Sequence, residues 1–237
     1  MYFKQKPFVT TKNNILMKKT ITIALLLLLC KLSAQTKEVG QFFDVKVFDG
    51  ISAKLIKSSE NKVIISGDDA DKVSVVNKNG ILKIRMQIDK IFSGYKTFVE
   101  VHYSGRLDVI DANENALIES AETIKQTDVE LKSQEGGEIN LSLDVQKLTV
   151  KAVTGGKLGL KGSAKTQDVT INTGGHYEAD TLKTEQTVAN VSTGGAAFIN
   201  ASEYMEAKVK AGGSIYIYGN PKVIDKQTFL GGRIIEQ

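Results

Sequence analysis

The stretch Ala152-Val153-Thr154-Gly155-Gly156-Lys157-Leu158-Gly159-Leu160 returns as Ile171-Asn172-Thr173-Gly174-Gly175-His176-Tyr177-Glu178-Ala179 and again as Val191-Ser192-Thr193-Gly194-Gly195-Ala196-Ala197-Phe198-Ile199. Gly-Gly pairs open at Gly136, Gly155, Gly174, Gly194, Gly212 and Gly231, at intervals of 19, 19, 20, 18 and 19 residues. Self-similarity at a period near twenty marks a stacked repeat architecture. Two positions after each second glycine stand Ile139, Leu158, Tyr177, Ala197, Ile215 and Ile234, and four positions after it Leu141, Leu160, Ala179, Ile199 and Ile217. On the other side, Leu131, Val150, Val169, Ala189 and Ala207 form one column and Ala152, Ile171, Val191 and Val209 a second, with polar Lys151, Thr170, Asn190 and Lys208 between them. Alternation with period two puts each apolar column on one face of a short strand.

The reading that follows is an all-β chain, a β-solenoid with coils of about 19 residues, whose equivalent strands stack at about 4.8 Å. The Gly-Gly pair turns the chain at a fixed corner, where a positive φ or close stacking excludes a Cβ. A second corner varies: Gly162-Ser163-Ala164-Lys165, Leu182-Lys183-Thr184-Glu185 and Gly219-Asn220-Pro221. An antiparallel meander with Gly-Gly hairpins would also give a regular interval. Residues equivalent in kind as well as polarity favour the solenoid.

Residues 38–110 lack the Gly-Gly marker but are strand-rich. Strands are expected over Asp44–Phe48, Ile51–Lys57, Lys62–Ser66, Lys72–Asn77, Ile81–Met86 and Thr97–Tyr103, with Asn79-Gly80 as a hairpin turn. Leu107–Ser120 has the alternation of an early coil. This part is expected to continue the sheet system and cover one end of the stack, since an open end exposes unpaired backbone. One solenoid domain is thus expected over 35–237, with non-Gly-Gly strands in 38–110 and Gly-Gly repeats in 111–237.

The N-terminus reads as a targeting segment. Met17-Lys18-Lys19-Thr20 is followed by an apolar run from Ile21 to Cys30 and then by Lys31-Leu32-Ser33-Ala34-Gln35. This is the layout of a secretory signal peptide with cleavage after Ala34, and residues 1–16 form an upstream extension. Cys30 as a lipidated cysteine is the alternative, although Leu29 stands where a small residue is required. An uncleaved anchor is another, although the apolar run is short for one. Residues 1–34 hold six basic and no acidic residues, so the net +4 of the whole chain becomes 25 basic against 27 acidic residues in the remainder. That balance leaves no basic patch for nucleic acid. The only cysteine, Cys30, leaves with the segment, which excludes disulfides and cysteine metal sites from the mature chain.

Phe43-Asp44-Val45 leads to Gly50-Ile51-Ser52-Ala53-Lys54-Leu55, then Lys62-Val63-Ile64-Ile65-Ser66-Gly67-Asp68, Gly80-Ile81-Leu82-Lys83-Ile84 and Val99-Glu100-Val101-His102-Tyr103, before the Gly-rich repeats. In these features the chain resembles the putative auto-transporter adhesin, head GIN domain family, common in Bacteroidetes. The resemblance covers nearly all of the mature chain. It implies an all-β, solenoid-like fold and an exported protein, and it brings no catalytic residues. No β-barrel translocator segment is seen, so the chain is not expected to be an autotransporter by itself.

Catalytic constellations are sparse. His102 and His176 are the only histidines, and neither has a partner at metal-ligand spacing. Ser93-Gly94-Tyr95-Lys96 matches a Ser-x-x-Lys pattern without its companion elements. Asp68-Asp69-Ala70-Asp71 is an acidic turn that lacks the spacing of a calcium loop. The outward acids Glu138, Glu178 and Asp180 do not recur as a pair on adjacent coils, as glycosidase chemistry across a cleft would need. No catalytic residue, metal or cofactor is therefore assigned.

The outward column three positions after the second glycine reads Asn140, Gly159, Glu178, Phe198, Tyr216 and Ile235; two residues further on it reads Ser142, Lys161, Asp180, Asn200 and Tyr218. Phe198, Tyr216, Tyr218 and Ile235 thus make an apolar patch over the last coils, the candidate binding site for a glycan or a cell-surface protein. The alternative is that a terminal segment covers it. The expected function is an exported, non-catalytic adhesin-like or surface-structural binding protein, located in the periplasm, on the outer surface or outside the cell. A polysaccharide-acting β-helix enzyme and a self-assembling envelope protein, pairing through the edge Arg233–Glu236, are the competing readings.

Overall fold

The computed structural model describes residues 1–2 and 34–237, and Ala34–Gln237 forms one compact unit. The expected signal segment, from Met17 through Ser33 with Cys30 in it, lies outside the described residues. The strands are β1 (Gln35–Glu38), β2 (Asp44–Val47), β3 (Ser52–Lys57), β4 (Lys62–Gly67), β5 (Val73–Lys78), β6 (Ile81–Met86), β7 (Thr97–Tyr103) and β8 (Val109–Ala112). There follow the long, bent strands β9 (Leu117–Gln134), β10 (Glu138–Val153), β11 (Lys157–Ile171), β12 (His176–Ser192) and β13 (Ala196–Lys210), then β14 (Ser214–Tyr218), β15 (Val223–Phe229) and β16 (Arg233–Glu236).

The architecture is a β-solenoid of about seven turns. From β9 to β16 every neighbouring pair is parallel and in repeat register, Ile139 beside Leu158, Tyr177, Ala197, Ile215 and Ile234 in turn. Parallel pairing rules out the antiparallel meander for the repeats. Each coil has a first arm after the Gly-Gly corner and a second arm before the next. The apolar columns of both arms are buried: Leu158, Val169, Ile171, Ile199, Val209 and Ile217 are at most 2% exposed. Each such aliphatic side chain contributes about 1.5–3 kcal/mol by leaving water. Where the interval slips to 20 and 18 residues, register shifts between Glu178 and Leu182 against β11, and between Ala179 and Lys183 and between Thr184 and Gln186 against β13, absorb the difference.

The two glycines of a corner do different work. Thr154 and Gly155 are both left-handed, with φ of 50° and 73°, so the first glycine answers a backbone demand while a Cβ there would meet nothing. Gly156 has no such φ, but a Cβ there would lie 2.1 Å from the Ser133 carbonyl oxygen of the preceding coil. The corners are joined by a backbone ladder. The Gly155 N–H donates to the Thr173 oxygen at 3.0 Å and that of Gly174 to Thr193 at 3.1 Å, and the series runs from Gly50, which donates to Glu114, through to Gly212, which donates to Leu230. Hydrogen bonds in this direction hold left-handed threonines that would otherwise cost about 1–2 kcal/mol each.

The N-terminal part continues the stack and also closes it. β2 and β3 form a coil against β8 and β9, in parallel. Outside that coil lies another made later in the chain, with β6 parallel to β2 and β7 parallel to β3. Antiparallel strands then finish the end, β5 on β6, β4 on β7 and β1 on β4. Asn79-Gly80 is the expected hairpin turn, left-handed at both residues. The terminal coil of β6 and β7 replaces the two-residue corner by the loop 87–96. Asp49, fully buried in the next corner, holds that loop by accepting hydrogen bonds from the Met86 N–H at 3.0 Å and the Phe92 N–H at 3.3 Å.

Candidate binding face

The outward side of the first arms carries every residue of the expected patch. Register sets Glu178 beside Phe198, Phe198 beside Tyr216 and Tyr216 beside Ile235, with Tyr218 beside Asn200. The Phe198 and Tyr216 rings stack at 4.6 Å between centroids and 5° between planes. On the other side of Phe198, the His176 ring is tilted by 58° at 5.5 Å. All four patch residues are half-buried. Because the faces of Phe198 and Tyr216 lie on each other, the column offers ring edges outward, and the rings also bind coil to coil. His176 Nε2 is 2.9 Å from Glu178 Oε1, which places an imidazole–carboxylate contact at the upper end of the column.

Beside the column lies a shallow groove of about 370 Å³, which patterning by columns does not predict. Its floor passes Gly159, the one outward position of the column without a side chain. A Cβ there would stand 2.6 Å from Asn140 Oδ1. Two irregularities wall it. In β9 the pairing with β10 jumps between Glu119 and Thr123, so Ser120, Ala121 and Glu122 stand opposite the one residue Leu141, and Ser120 Oγ donates to the Leu55 oxygen at 3.1 Å. In β12 the pairing with β11 slips between Glu178 and Leu182, which displaces Asp180 and Thr181. Bulges of this kind re-aim side chains and recur beside functional sites. Glu119, Glu178, Asp180 and Lys161 supply charge, and Asn140 and Ser142 supply neutral hydrogen-bonding groups. The sequence signal for the β12 wall is the single interval of 20 residues. The β9 wall precedes the first Gly-Gly pair and leaves none.

The other singled-out residues play local parts. Asp68 and Asp69 pair with Lys96 and Lys90, so the acidic turn is an ion-paired surface turn. Ser93 Oγ donates to the Lys90 oxygen at 2.7 Å, inside loop 87–96. His102 Nε2 lies 3.4 Å from Glu100 Oε2 on β7. No group of three or more His, Cys, Asp or Glu side chains among the described residues is arranged to hold a metal. Asp49, fully buried, neighbours the half-buried Glu114 in the corner ladder, away from the groove. Glu114 Oε2 is buried without a hydrogen-bond partner. Burial first, then a hydrogen bond to Asp49, raises the Glu114 carboxyl above its usual range. Inside the stack, Tyr177 donates to Gln167 Oε1 at 2.9 Å and Gln167 Nε2 to Thr187 at 2.9 Å. Burial lifts the Tyr177 phenol far above its ordinary value, so it remains a donor.

The family model described as putative auto-transporter adhesin, head GIN domain matches residues 41–221. The chain belongs to this family. Solved structures share the fold over most of the head GIN chain. A putative adhesin from Bacteroides fragilis NCTC 9343 superposes with a TM-score of 0.80 at 21% identity, over 88% of this chain and 98% of that one. A putative adhesin from Parabacteroides merdae ATCC 43184 gives 0.66 at 18% identity, over 88% and 97%. A putative lipid binding protein from Parabacteroides distasonis ATCC 8503 gives 0.65 at 14% identity, over 86% and 96%. At these identities the likeness shows a shared fold and nothing more. No curated protein matches the chain. Among the described residues, no helix of this head GIN chain is long and apolar enough to cross a membrane.

Proposed function

We propose that the chain is an exported, non-catalytic binding protein of the adhesin-like kind, cleaved after Ala34 and engaging a glycan through the outward face of its first arms. The observation that carries this reading is the groove between the Ser120 and Asp180–Thr181 bulges, continuous through Glu178 with the column of Phe198 and Tyr216. Carboxylates, an amide, hydroxyls and a lysine around a bare glycine floor suit the hydroxyls of a sugar chain. The aromatic edges and the Tyr216 and Tyr218 side chains extend the contact beyond the groove. A flat stack with a shallow groove suits holding a ligand better than enclosing a reacting one. Membership of an adhesin-named family supports the reading, as do the two structural relatives described as putative adhesins.

The test is binding of purified 35–237 to a glycan array and to whole cells. The Tyr216→Ala/Tyr218→Ala variant and the Asp180→Ala variant are each expected to lose at least about tenfold in affinity, a change of about 1.4 kcal/mol, with far-ultraviolet circular dichroism unchanged. Retention of full binding by both variants would sink the proposal. Capture of a protein in place of any glycan would move the ligand class.

A further inference from the structure

The last coil breaks the interior pattern. Ile224, Lys226 and Thr228 of β15 stand in register over Met205, Ala207 and Val209, and Ile234 and Glu236 of β16 over Ile215 and Ile217. Two positions that are apolar in the coil below therefore carry opposite charges. Lys226 Nζ and Glu236 Oε1 are ion-paired, and the pair joins the two arms across the end of the dry interior. Around it Val223, Phe229 and Leu230 are exposed, interspersed with exposed Asp225, Gln227 and Arg233. Among the described residues β15 and β16 pair on one side only, so their outer backbone groups form an edge that another strand could join.

We infer that the Lys226–Glu236 pair is a polar lid that stops a second copy of this chain from extending the stack through its C-terminal end. Two copies joining by these edges would do so about a two-fold axis, β15 and β16 against their equivalents. That arrangement would bring both ion pairs into a joint interior. At present the Lys226 and Glu236 side chains are 38% and 55% exposed, so water solvates them, and dehydrating them costs more than their mutual attraction returns. Inward-pointing charge on an edge strand is a recognised guard against edge pairing. Thr228 adds a second polar group to the same surface. The opposite end is closed by other means, the antiparallel strands β1, β4 and β5.

The lid is tested by light scattering on 35–237 at rising concentration. The wild type is expected to stay monomeric. Lys226→Leu/Glu236→Leu restores apolar columns at the end and is expected to dimerise at least about a hundredfold more tightly than the wild type, a difference of about 2.7 kcal/mol. Lys226→Glu/Glu236→Lys keeps a paired lid and is expected to stay monomeric. Glu236→Leu alone, at the penultimate residue, reports an intermediate gain if the double variant fails to fold. A wild type that dimerises, or apolar variants that stay monomeric with native circular dichroism, overturns the inference.

Discussion

At the scale of single residues, the corners separate two demands that a Gly-Gly pair disguises as one. Gly155 is needed for its φ and Gly156 for its lack of volume. Gly155→Ala is expected to cost about 1 kcal/mol, the strain of a left-handed alanine. Gly156→Ala is expected to cost about 3 kcal/mol, because a Cβ cannot coexist with the Ser133 oxygen without moving the coil. Urea titrations of the two variants measure the difference, and equal losses would contradict this division. Glu114 obeys a different rule. Its carboxyl binds a proton more tightly folded than unfolded, since burial and Asp49 both raise it from 4.5. The folded state thus holds more protons, and the stability from this pair is complete below the unfolded value and lost as pH rises through the folded one. Glu114→Gln keeps a donor for Asp49 without the charge. Its melting temperature is expected to match the wild type in acid and to exceed it increasingly toward neutral pH. A difference that does not change with pH would refute the raised Glu114 carboxyl.

At the scale of elements, columns were legible where the side chains themselves repeat. Leu158, Ile199 and Ile217 announce their interior position by spacing alone. Phe198, Tyr216 and Ile235 announce an outward column the same way, and register places them together. The stacking of the rings was not legible, because alternation gives the side of a strand and not the plane of a side chain. The groove was hidden for a related reason: Ser120 and the Asp180–Thr181 pair are bulges, and a bulge alters pairing without altering composition. The coil of β6 and β7 escaped because Met86 is followed by the loop 87–96 instead of a glycine corner. Its strands, Ile81–Met86 and Thr97–Tyr103, were nonetheless readable from alternation.

At the scale of the whole molecule, each coil touches mainly its neighbours, so stability is a sum of coils and interfaces and is lowest where an interface is missing. The last coil has one neighbour and polar inward groups. Amide hydrogens of β15 and β16 are therefore expected to exchange about a hundredfold faster than those of the second arms of β10 to β12, read by mass spectrometry on peptides from each coil. Uniform protection from end to end would show that the stack opens only as one unit. The antiparallel cap should keep β2 and β3 closer to the slow class than β15.

The coil of β6 and β7 lies outside the coil of β2 and β3 although it comes later in the chain. A polypeptide that emerges from a ribosome or an export channel with its N-terminus leading presents Asp44–Lys57 first, with nothing yet made to cover either flank. One flank is covered only once Ile81–Ile84 and Phe98–Tyr103 have appeared, the other only after Val109–Ala112 and Leu117–Glu119 have followed. Winding therefore cannot proceed strictly from front to back. The leading segment must wait with one flank open until Val109–Ala112 and Leu117–Glu119 have been made, and a holding chaperone that binds exposed strands would find its natural client in that interval.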